Sequence, residues 1–449
     1  MEHTTEKTKD IDLMEKIVSL AKRRGFVFQG SEIYGGLAGT WDYGPLGAEL
    51  AFNIKELWWD FFVRRHDENY GIASSILMPE PVWEASGHLG GFTDPMVECE
   101  KCKRRFRADH LAEEGGDTVT CPECGGALGA EKTFNLLFPV EMGSTAESKT
   151  TAYLRGEIAQ GMFVNFKNVL DTMRPKLPFG IAQIGKAFRN EIAPRDFLFR
   201  VREFDLMEFE YFTREREWEE HFEKWRKEMW VWIDRIGITR EATHELEVGE
   251  GDRAHYSKRT IDFEFDFPFG RKELYGLAYR TDHDLKKHME HSKVDVRYTD
   301  DEGERFIPHV IEPTFGLGRT VLAVLTSAYT EDEVGGEKRV YLAFKPRVAP
   351  IKAAVFPLMR NKPELQEKAW EVYKNLKKEV PQVMFDDNGN VGKRYRRQDE
   401  IGTPYCITVD FDTLEDDTVT VRNRDTATQE RMPISEVAPY IKNQIETKE

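Results

Sequence analysis

Four of the five cysteines form two Cys-x-x-Cys pairs, Cys99 with Cys102 and Cys121 with Cys124. Thiolates at this spacing can meet around one zinc ion in tetrahedral geometry. Thiolate would fill every ligand position, so we expect a structural zinc site rather than a catalytic one. The alternative is a small insertion whose four reduced thiols have lost their metal. The fifth cysteine, Cys406, lies in an apolar segment and is expected in the core.

A second chemical signal is the dense charge between Phe188-Arg189-Asn190-Glu191 and Glu203-Phe204-Asp205-Leu206-Met207-Glu208. Arg195, Arg200 and Arg202 lie between these two stretches. The planar guanidinium group of Arg189 could hold a phosphate and a carboxylate together, which the point charge of a lysine could not. The alternative is a solvated hairpin with surface ion pairs.

Towards the C-terminus, Lys393, Arg394, Arg396 and Arg397 surround Tyr395. Cations around an aromatic ring suit the phosphates and unpaired bases of RNA. The alternative is a solvated, charged helix face. Three histidines are also close in sequence but no further metal ligand accompanies them, so we expect them on a polar helix surface: His283, His288 and His291.

The elements that must position these residues are predicted from the spacing of apolar residues. Helical spacing predicts helices over residues 11–24, 46–65, 152–170 and 320–328. A strand over residues 72–78 should stop at Pro79 and Pro81, which do not suit a central ladder. Further strands are predicted over residues 179–188, 205–213, 260–267 and 272–279. In the third of these, phenylalanines alternate with Asp262, Glu264 and Asp266, so this antiparallel sheet should have one buried and one polar face there.

The length of 449 residues exceeds what one core usually organises, so two or three domains are expected. Residues 97–130 contain little apolar sequence and resemble an insertion with its own fold. Beyond about residue 340 the pattern becomes that of a separate α/β domain. We predict its strands at residues 353–357, 382–385, 405–409 and 418–422, and its helices at 363–378, 391–399 and the end of the chain. We place the boundary before this domain in residues 331–338, a charged stretch with two glycines.

The formal net charge of −16 is unusual for a protein that binds nucleic acid, but one basic face is sufficient to hold RNA. Hydrophobic residues make up 40% of the chain, which excludes a disordered protein. Residues 1–10 contain no apolar core, and no run of about 18 uncharged apolar residues occurs. We therefore expect a cytoplasmic protein without a membrane span.

Three segments, in the right order, resemble the signature motifs of class II aminoacyl-tRNA synthetases. The segment Phe188-Arg189-Asn190-Glu191 resembles motif 2, and Gly316-Leu317-Gly318-Arg319 before an apolar helix resembles motif 3. Residues 72–81, after a long helix, resemble motif 1, which in this class contributes to the subunit interface. The resemblance implies the antiparallel-sheet catalytic domain of that class.

Within the class, the sequence resembles the homodimeric type of glycyl-tRNA synthetase over nearly its full length. The stretches that carry this resemblance are Trp41-Asp42-Tyr43-Gly44-Pro45-Leu46-Gly47, Ala85-Ser86-Gly87-His88, Glu157-Ile158-Ala159-Gln160-Gly161, Val201-Arg202-Glu203-Phe204, Ile311-Glu312-Pro313, Gly392-Lys393-Arg394-Tyr395 and Asp399-Glu400-Ile401-Gly402-Thr403-Pro404. The resemblance implies a ligase that forms glycyl-adenylate from glycine and ATP, with Mg²⁺, and transfers glycine to the 3′ end of tRNA(Gly).

The implied fold is an α+β/α/β multidomain one. The catalytic domain would occupy residues 1–96 and 131–335, the zinc-binding insertion residues 97–130, and the α/β anticodon-binding domain residues 336–449.

The resemblance also implies a role for individual residues. Arg189, Glu191 and Arg319 would be catalytic, with Arg189 on the α-phosphate and the glycine carboxylate and Arg319 on the far phosphates. The expected ATP contacts are Arg189, Asn190, Glu191, Phe199, Arg200, Val201, Arg202, Glu203, Phe204, Glu273, Leu274, Gly316, Leu317, Gly318 and Arg319. The expected glycine contacts are Arg107, Glu157, Phe204, Asp205, Leu206, Met207, Glu208, Glu312, Pro313, Thr314, Phe315 and Gly316. Glu273 would take Mg²⁺, and Lys393, Arg394, Tyr395, Arg396 and Arg397 would contact tRNA.

By the same resemblance, Glu157, Glu208 and Glu312 would surround the substrate ammonium. Glycine has no side chain to grip, so a pocket wall must exclude larger amino acids by overlap. The sequence departs from the family pattern at Gly156 and Ile158, where the family usually has Pro and Thr, and at Thr314, where it usually has Ser. The added methyl of Thr314 could tighten the pocket or shift it.

Two other functions compete with this one. A non-catalytic relative could keep the fold as a nucleic-acid-binding subunit, but this chain keeps Arg189, Glu191, Phe204 and Arg319 together. The second competing function is that of a class II synthetase for another small amino acid. The set of Glu157, Glu208 and Glu312 favours glycine as the substrate.

Overall fold

The computed structural model describes residues 3–113, 119–145 and 148–446. Its helices are α1 His3–Arg23, α2 Pro45–Trp59, α3 Glu80–Ala85, α4 His88–Gly91, α5 Ala108–Glu113, α6 Ala159–Met173, α7 Trp218–Ile236, α8 His283–Ser292, α9 Leu317–Ala328, α10 Pro363–Glu379, α11 Val391–Ile401, α12 Phe411–Asp416 and α13 Ile434–Glu446. A π-helical segment, Asp60–Arg64, extends α2, so the predicted helix at residues 46–65 is confirmed.

The strands are short outside the central sheet. They are β1 Val27–Gln29, β2 Trp41–Tyr43, β3 Asn69–Gly71, β4 Leu77–Pro79, β5 Thr93–Glu98, β6 Arg105–Arg107, β7 Lys132–Asn135, β8 Phe138–Met142, β9 Thr150–Leu154, β10 Phe179–Phe188, β11 Glu203–Thr213, β12 Thr243–Glu247, β13 Arg259–Phe267, β14 Gly270–Thr281, β15 Tyr298–Thr299, β16 Arg305–Phe306, β17 His309–Gly316, β18 Tyr329–Val334, β19 Glu337–Leu342, β20 Ala353–Pro357, β21 Val383–Phe385, β22 Tyr405–Val409, β23 Thr418–Asn423 and β24 Gln429–Pro433.

The central sheet has the strand order β12-β13-β14-β17-β11-β10-β3 in the described part of the chain. All neighbours in it are antiparallel except β10 and β3. The four strands predicted at residues 179–188, 205–213, 260–267 and 272–279 are confirmed as β10, β11, β13 and β14. The middle strand, β17, was not predicted, and neither was β12.

Helices cover one face of this sheet completely. Trp58 of α2, Trp225 and Trp232 of α7 and several residues of α9 bury their side chains there against Phe315 and other sheet residues. On the opposite face, Phe163 and Phe166 of α6 and Leu285 of α8 cover only part of the sheet. The rest of that face is left open for a cavity.

Two predicted elements before the central sheet are wrong in part. Of the strand predicted at residues 72–78, only Leu77 and Met78 lie in a strand, β4, and the preceding β3 ends at Gly71. Pro79 belongs to β4, which is an edge strand of the sheet β4-β9-β8 and needs no ladder donor there. The helix predicted at residues 152–170 begins only at Ala159, because the threonine-rich segment before it favours an extended chain and pairs as β9.

A small sheet, β6-β5-β7, carries the cysteine pairs and has its own apolar cluster of Val97, Ala108 and Leu111. This unit begins with β5 at Thr93, slightly before the predicted position of 97. Its strand β6 ends at Arg107.

The C-terminal part contains a five-stranded sheet of order β21-β20-β22-β23-β24. The strands and helices predicted there are confirmed, and the short helix α12 and the strand β24 are additions. The charged stretch at residues 331–338, where the domain boundary is predicted, belongs to the hairpin β18–β19, closed by Gly335 and Gly336 at φ 62° and 80°. Residues with a side chain rarely adopt these backbone dihedrals, so the two glycines favour this tight turn.

Within the three described ranges, no helix is both long and apolar enough to cross a lipid bilayer.

Candidate active site

A cavity of about 540 Å³ lies on the open face of the central sheet. Glu312, Thr314 and Gly316 of β17 line it, whereas Pro313 and Phe315 between them do not, as the two-residue period of a strand requires. On β11 the same period sends Met207 into the core. Of the expected glycine contacts, Met207, Pro313 and Phe315 therefore keep their side chains out of the cavity.

Arg189 follows directly after β10 and lines the cavity. Its Nε donates to the carbonyl oxygen of Gly156 at 3.1 Å. The guanidinium carbon is 5.1 Å from the ring centroid of Phe92 and 5.3 Å from that of Phe204. Two aromatic faces and one hydrogen bond thus hold the planar group in a fixed position.

Gly156, one of the departures from the family pattern, is closely surrounded. A Cβ atom there would lie 2.8 Å from a ring carbon of Phe92 and 3.0 Å from a methyl group of Leu137. Any side chain would displace the ring that packs on Arg189. The glycine is therefore matched to its surroundings, and the neighbouring Ile158 is fully buried.

Arg319, in the first turn of α9, also lines the cavity. Its Nη1 is 3.1 Å from the backbone oxygen and 3.0 Å from the carboxylate oxygen of Glu273. The guanidinium carbon is 4.4 Å from the ring centroid of Phe199. The charge of Arg319 lowers the pKa of Glu273, so this carboxylate stays ionised.

Glu191 and Arg200 face each other inside the cavity, with 3.5 Å between Oε2 and Nη1. Arg202 instead donates hydrogen bonds to the backbone oxygens of Glu191 and Ala38. These bonds stabilise the backbone beside the cavity. Four expected ATP contacts do not line the cavity with their side chains: Asn190, Arg202, Glu203 and Leu317. Phe199, Val201, Leu274 and Gly318 do line it.

Glu157, Glu208 and Glu312 converge on one side of the cavity. His88 Nε2 lies 3.2 Å from Glu157, and Arg280 Nη1 donates to Glu312 at 2.7 Å. Burial opposes ionisation of Glu157, but the charges of His88 and Arg280 outweigh it and lower its pKa. Burial, together with the neighbouring carboxylates, raises the pKa of the other two. The arrangement can accept a cation with several N–H donors.

The hydroxyl group of Thr314 donates to Oε1 of Glu208 at 2.7 Å. This contact fixes the Thr314 side chain at the cavity wall, because its hydroxyl has a defined partner. A serine at this position could make the same hydrogen bond without the methyl group. The methyl group therefore adds bulk beside Glu208.

Sequence analysis missed the side chains that hold the three glutamates. Arg280 is almost fully buried and donates to both carboxylate oxygens of Asp284 at 2.8 Å. Gln160 donates at 2.9 Å to Glu157 and to Asp284, and His288 contacts its amide oxygen at 2.7 Å. His288 is therefore buried in this network, and its prediction as a surface residue is wrong.

Arg107 enters the cavity from β6 of the small sheet, as expected. Its Nη1 donates to Asp94 at 2.6 Å, and its other nitrogens contact Asp109. On the far side, Tyr256 covers Arg280, with 3.8 Å between the guanidinium carbon and the ring centroid. No motif had indicated Asp94 or Tyr256.

Asp262 is another cavity residue that sequence analysis missed, because its alternation with phenylalanine was sufficient to explain it as a polar strand face. Burial, reinforced by the charge of Glu273, raises its pKa from 3.8 to about 7. The folded protein therefore holds this proton at pH values where the unfolded chain has released it, and stability from this group falls as the pH rises from 3.8 to about 7.

We expect Asp262→Asn to flatten the pH dependence of stability in that window and to raise the melting temperature above it. Melting curves across the window, recorded for both proteins, measure this. Asp266→Asn on the same strand is the matched control, for which we expect the opposite change in stability. Burial raises the pKa of Asp266, but the hydrogen bond from Arg271 outweighs burial and lowers this pKa. The Asp266→Asn variant should therefore lose stability at neutral pH. Parallel curves for wild type and Asp262→Asn would contradict the assignment.

The four cysteines of the two pairs meet as predicted. Their sulfur atoms all lie within 4.8 Å of one another, with 3.6 Å between Cys99 and Cys124 and 3.8 Å between Cys102 and Cys121. Zinc–sulfur bonds of about 2.3 Å in a tetrahedron place the sulfurs about 3.8 Å apart, so the set fits a zinc ion. Backbone N–H groups of Cys102 and Lys101 lower the pKa of the Cys99 thiol to about 6. Cys406 is buried in the C-terminal core, as expected.

The predicted RNA-binding cluster on α11 is divided by the structure. Arg394 is buried, and its guanidinium donates to the carbonyl oxygens of Pro357, Asp387 and Gly389. The hydroxyl group of Tyr395 contacts Thr408. These two residues support the domain from inside.

The remaining cations of the cluster lie at or near the surface. Arg397 pairs with Asp386, Arg396 pairs with Glu337, and Lys393 is exposed. Only these three are placed where RNA could contact them.

Two known domain families match the chain. Residues 138–328 match the tRNA synthetase class II core domain (G, H, P, S and T), and residues 352–444 match the anticodon binding domain. The first match contains the cavity strands β10, β11, β13, β14 and β17, and the second contains the C-terminal sheet.

Similar proteins from three bacteria are named glycine--tRNA ligase. The protein of Clostridium acetobutylicum is 49% identical over 464 residues, which cover 97% of this chain and 100% of the relative. That of Bacillus cereus is 50% identical over 458 residues, covering 96% of this chain and 99% of the relative. The protein of Caldanaerobacter subterraneus is 49% identical over 457 residues, covering 96% of this chain and 98% of the relative. Because these relatives share about half of their residues with it over nearly the full length, this chain belongs to the glycine--tRNA ligase family.

Proposed function

We propose that the cavity joins glycine to ATP as glycyl-adenylate, releases pyrophosphate, and then transfers glycine to the 3′-terminal adenosine of tRNA(Gly). The observation that carries this proposal is that Arg189 and Arg319 line the same cavity as three convergent carboxylates. The two guanidinium groups suit a triphosphate, and the carboxylates suit an ammonium group.

The chemistry needs little beyond positioning and electrostatics. The glycine carboxylate is ionised at neutral pH and attacks the α-phosphorus without a general base. Arg189, fixed between Phe92 and Phe204, would align that carboxylate and neutralise charge as the pyrophosphate leaves. Arg319 would hold the far phosphates, Arg200 would reach those in between, and Phe204 would stack on adenine.

Glu157, Glu208 and Glu312 would bind the glycine ammonium, and Arg107 would close the pocket from the small sheet. Each glutamate already has a partner that fixes one side of its carboxylate: His88, Thr314 and Arg280. We assign the exclusion of larger amino acids to the wall beside Glu208, where the Thr314 methyl adds bulk.

Glu273 would take part in holding the Mg²⁺ that accompanies ATP. Its ionised carboxylate lines the cavity next to Asp262, and hard oxygen donors of this kind suit Mg²⁺. The ion would neutralise phosphate charge while Arg319 and Arg200 orient the phosphates.

We propose that zinc occupies the four cysteines and maintains the small sheet that delivers Arg107. Cys102→Ser is expected to lower the zinc content from about one ion per chain to well below one. Activity should fall with it, because β6 then loses its support. Elemental analysis beside glycine titrations measures both effects, and Cys406→Ser is a control that should keep its zinc. Wild-type protein that contains no zinc when purified without chelator would contradict this proposal.

We further propose a homodimer that works in the cytoplasm. Phe52 of α2, the helix before the segment that resembles motif 1, is 61% exposed, and Ile76 and Leu77 within that segment are 37% and 45% exposed. A partner subunit would cover these apolar side chains. Sedimentation equilibrium should give twice the chain mass, and Phe52→Asp should shift it towards the monomer.

The proposed tRNA contacts in the C-terminal domain are Lys393, Arg396 and Arg397. The proposed domains are residues 1–96 with 131–335 for catalysis, 97–130 for zinc and 336–449 for the anticodon.

The deciding experiment is amino-acid-dependent exchange of pyrophosphate into ATP, with glycine, alanine and serine compared. Exchange with glycine alone would support the proposal. Exchange with alanine or serine would still support an adenylation site but would show that its amino-acid specificity is not for glycine. No exchange with any of them would favour a non-catalytic binding protein.

A further inference from the structure

A fourth carboxyl group lies behind the three that face the cavity. Glu210 follows Glu208 by two positions on β11, so both side chains leave the same face of the sheet. The register of the β11–β17 ladder places Glu210 directly opposite Glu312. Glu210 is fully buried and does not line the cavity. It is therefore a neighbour of the proposed ammonium site without being part of its surface.

Within the described ranges, neither carboxyl oxygen of Glu210 has a hydrogen-bond partner. The nearby cation, Arg280, directs its hydrogen bonds to Asp284 and Glu312 instead. A carboxylate that is buried without a donor is far more costly than a neutral carboxylic acid. In the described part of the chain, no donor thus forms a hydrogen bond that would stabilise a charge on Glu210.

Acceptors, in contrast, are close. Carboxyl oxygens of Glu208, Glu210 and Glu312 lie within 4.8 Å of one another. Two charged glutamates directly opposite each other in a ladder would repel, whereas a neutral one can donate a hydrogen bond to a charged one. A small side-chain rotation brings such a bond within reach.

We propose that Glu210 carries a proton and donates its O–H to the carboxylate of Glu312, so that the pair bears one negative charge. Glu210 is then a positioning residue for the ammonium site, and this inference rests on the proposed function. Its hydrogen bond would keep the Glu312 carboxylate from rotating, while Arg280 holds the other side.

The charges around Glu210 are consistent with one proton in this place. Glu208 lies on its own strand, Glu312 on β17, Arg280 on β14 and Asp284 on α8. Burial and the charge of Glu312 raise the pKa of Glu210 well above its ordinary value, and Arg280 does not offset them. Arg280 is already shared between two carboxylates, so protonation of Glu210 brings the group closer to charge balance.

Two substitutions at this position separate the possible roles. Glu210→Gln keeps the shape and a hydrogen-bond donor without a charge, so the KM for glycine should stay within about twofold of wild type. Glu210→Leu removes the donor, and the KM for glycine should rise about tenfold or more, because hydrogen bonds to charged groups are strong. The KM for ATP should stay constant in both, and melting curves check that both are folded. Glu247→Gln, on the exposed edge strand β12, is the control.

A Glu210→Gln protein as impaired as Glu210→Leu would overturn the proposal, because it would mean that a charged carboxylate is needed, as for a bound metal ion. Normal glycine binding by Glu210→Leu would overturn it too. Infrared difference spectra give an independent readout: at a pH above that at which Asp262 titrates, one carbonyl stretch of a neutral carboxylic acid should be lost from wild type to Glu210→Gln. If wild type itself shows no exchange with glycine, the proposed function fails instead, and the infrared band still tests the proton.

Discussion

Arg189→Ala should reduce the rate of glycine-dependent pyrophosphate exchange by a factor on the order of 10² to 10³, the usual cost of removing one preorganised donor at a developing charge. The loss should be mainly in kcat, since Arg319 and Arg200 remain to bind the triphosphate. Initial rates at saturating glycine and ATP measure it directly.

Arg189→Lys is the informative companion variant. It keeps the positive charge but lacks the planar fork that lies between Phe92 and Phe204, so it should recover only a small part of the activity. Arg216→Ala, an exposed arginine whose guanidinium pairs with Glu217, is the control and should behave as wild type. If Arg189→Ala kept a rate within tenfold of wild type, the catalytic assignment would be wrong.

The second large effect is expected on stability. Arg280→Met should destabilise the catalytic domain by about 3–5 kcal/mol, the range for breaking a buried ion pair by removing one partner. Arg280 is 0% exposed, Asp284 is 2% exposed, and Glu312 also loses its donor. Calorimetry should show a lower transition temperature for that domain, together with weaker glycine binding.

The loss of stability in Arg280→Met should depend on pH. Burial opposes ionisation of Asp284, but Arg280 outweighs it and lowers the pKa of Asp284 in the folded protein. Without Arg280, burial alone would raise that pKa above the unfolded value, so the variant should lose more stability at mildly alkaline than at mildly acidic pH. Adding Asp284→Asn should restore part of the loss, because it removes one unpaired charge. A variant that melts like wild type at both pH values would refute the argument.

Long elements with one clear period were predictable from sequence. The strand at Phe179–Phe188 was predicted with the observed bounds, because it is an apolar run of strand length that follows Pro178. The middle strand β17 was not, since His309–Gly316 places a glutamate and a proline inside a buried strand. The strand carries Glu312 to the cavity, where we propose that it binds substrate, and a local sequence pattern often fails at such a site.

In the candidate site, too, some residues could be predicted from sequence and others could not. The motif resemblance indicated Arg189, Glu191, Arg319 and the three pocket glutamates, and all of them line the cavity. The residues that hold them come from distant segments: Gln160 contacts Asp284 across 124 positions. Such pairs depend on how the chain folds back, and a single sequence has no local signal for them. Glu210 was not predicted either, although it is close in sequence to a predicted residue. It lies two positions after Glu208, and the resemblance assigned a role to Glu208 alone.

The tight surroundings of Gly156 also determine how this protein can diverge. Because a Cβ atom there would overlap Phe92 and Leu137, a relative with a larger residue at this position must change one of those two as well, or move the β9–α6 connection. Substitutions at the three positions should therefore be coupled over evolution. A library that randomises Gly156 alone should yield few active clones, whereas one that also randomises Phe92 and Leu137 should recover active combinations.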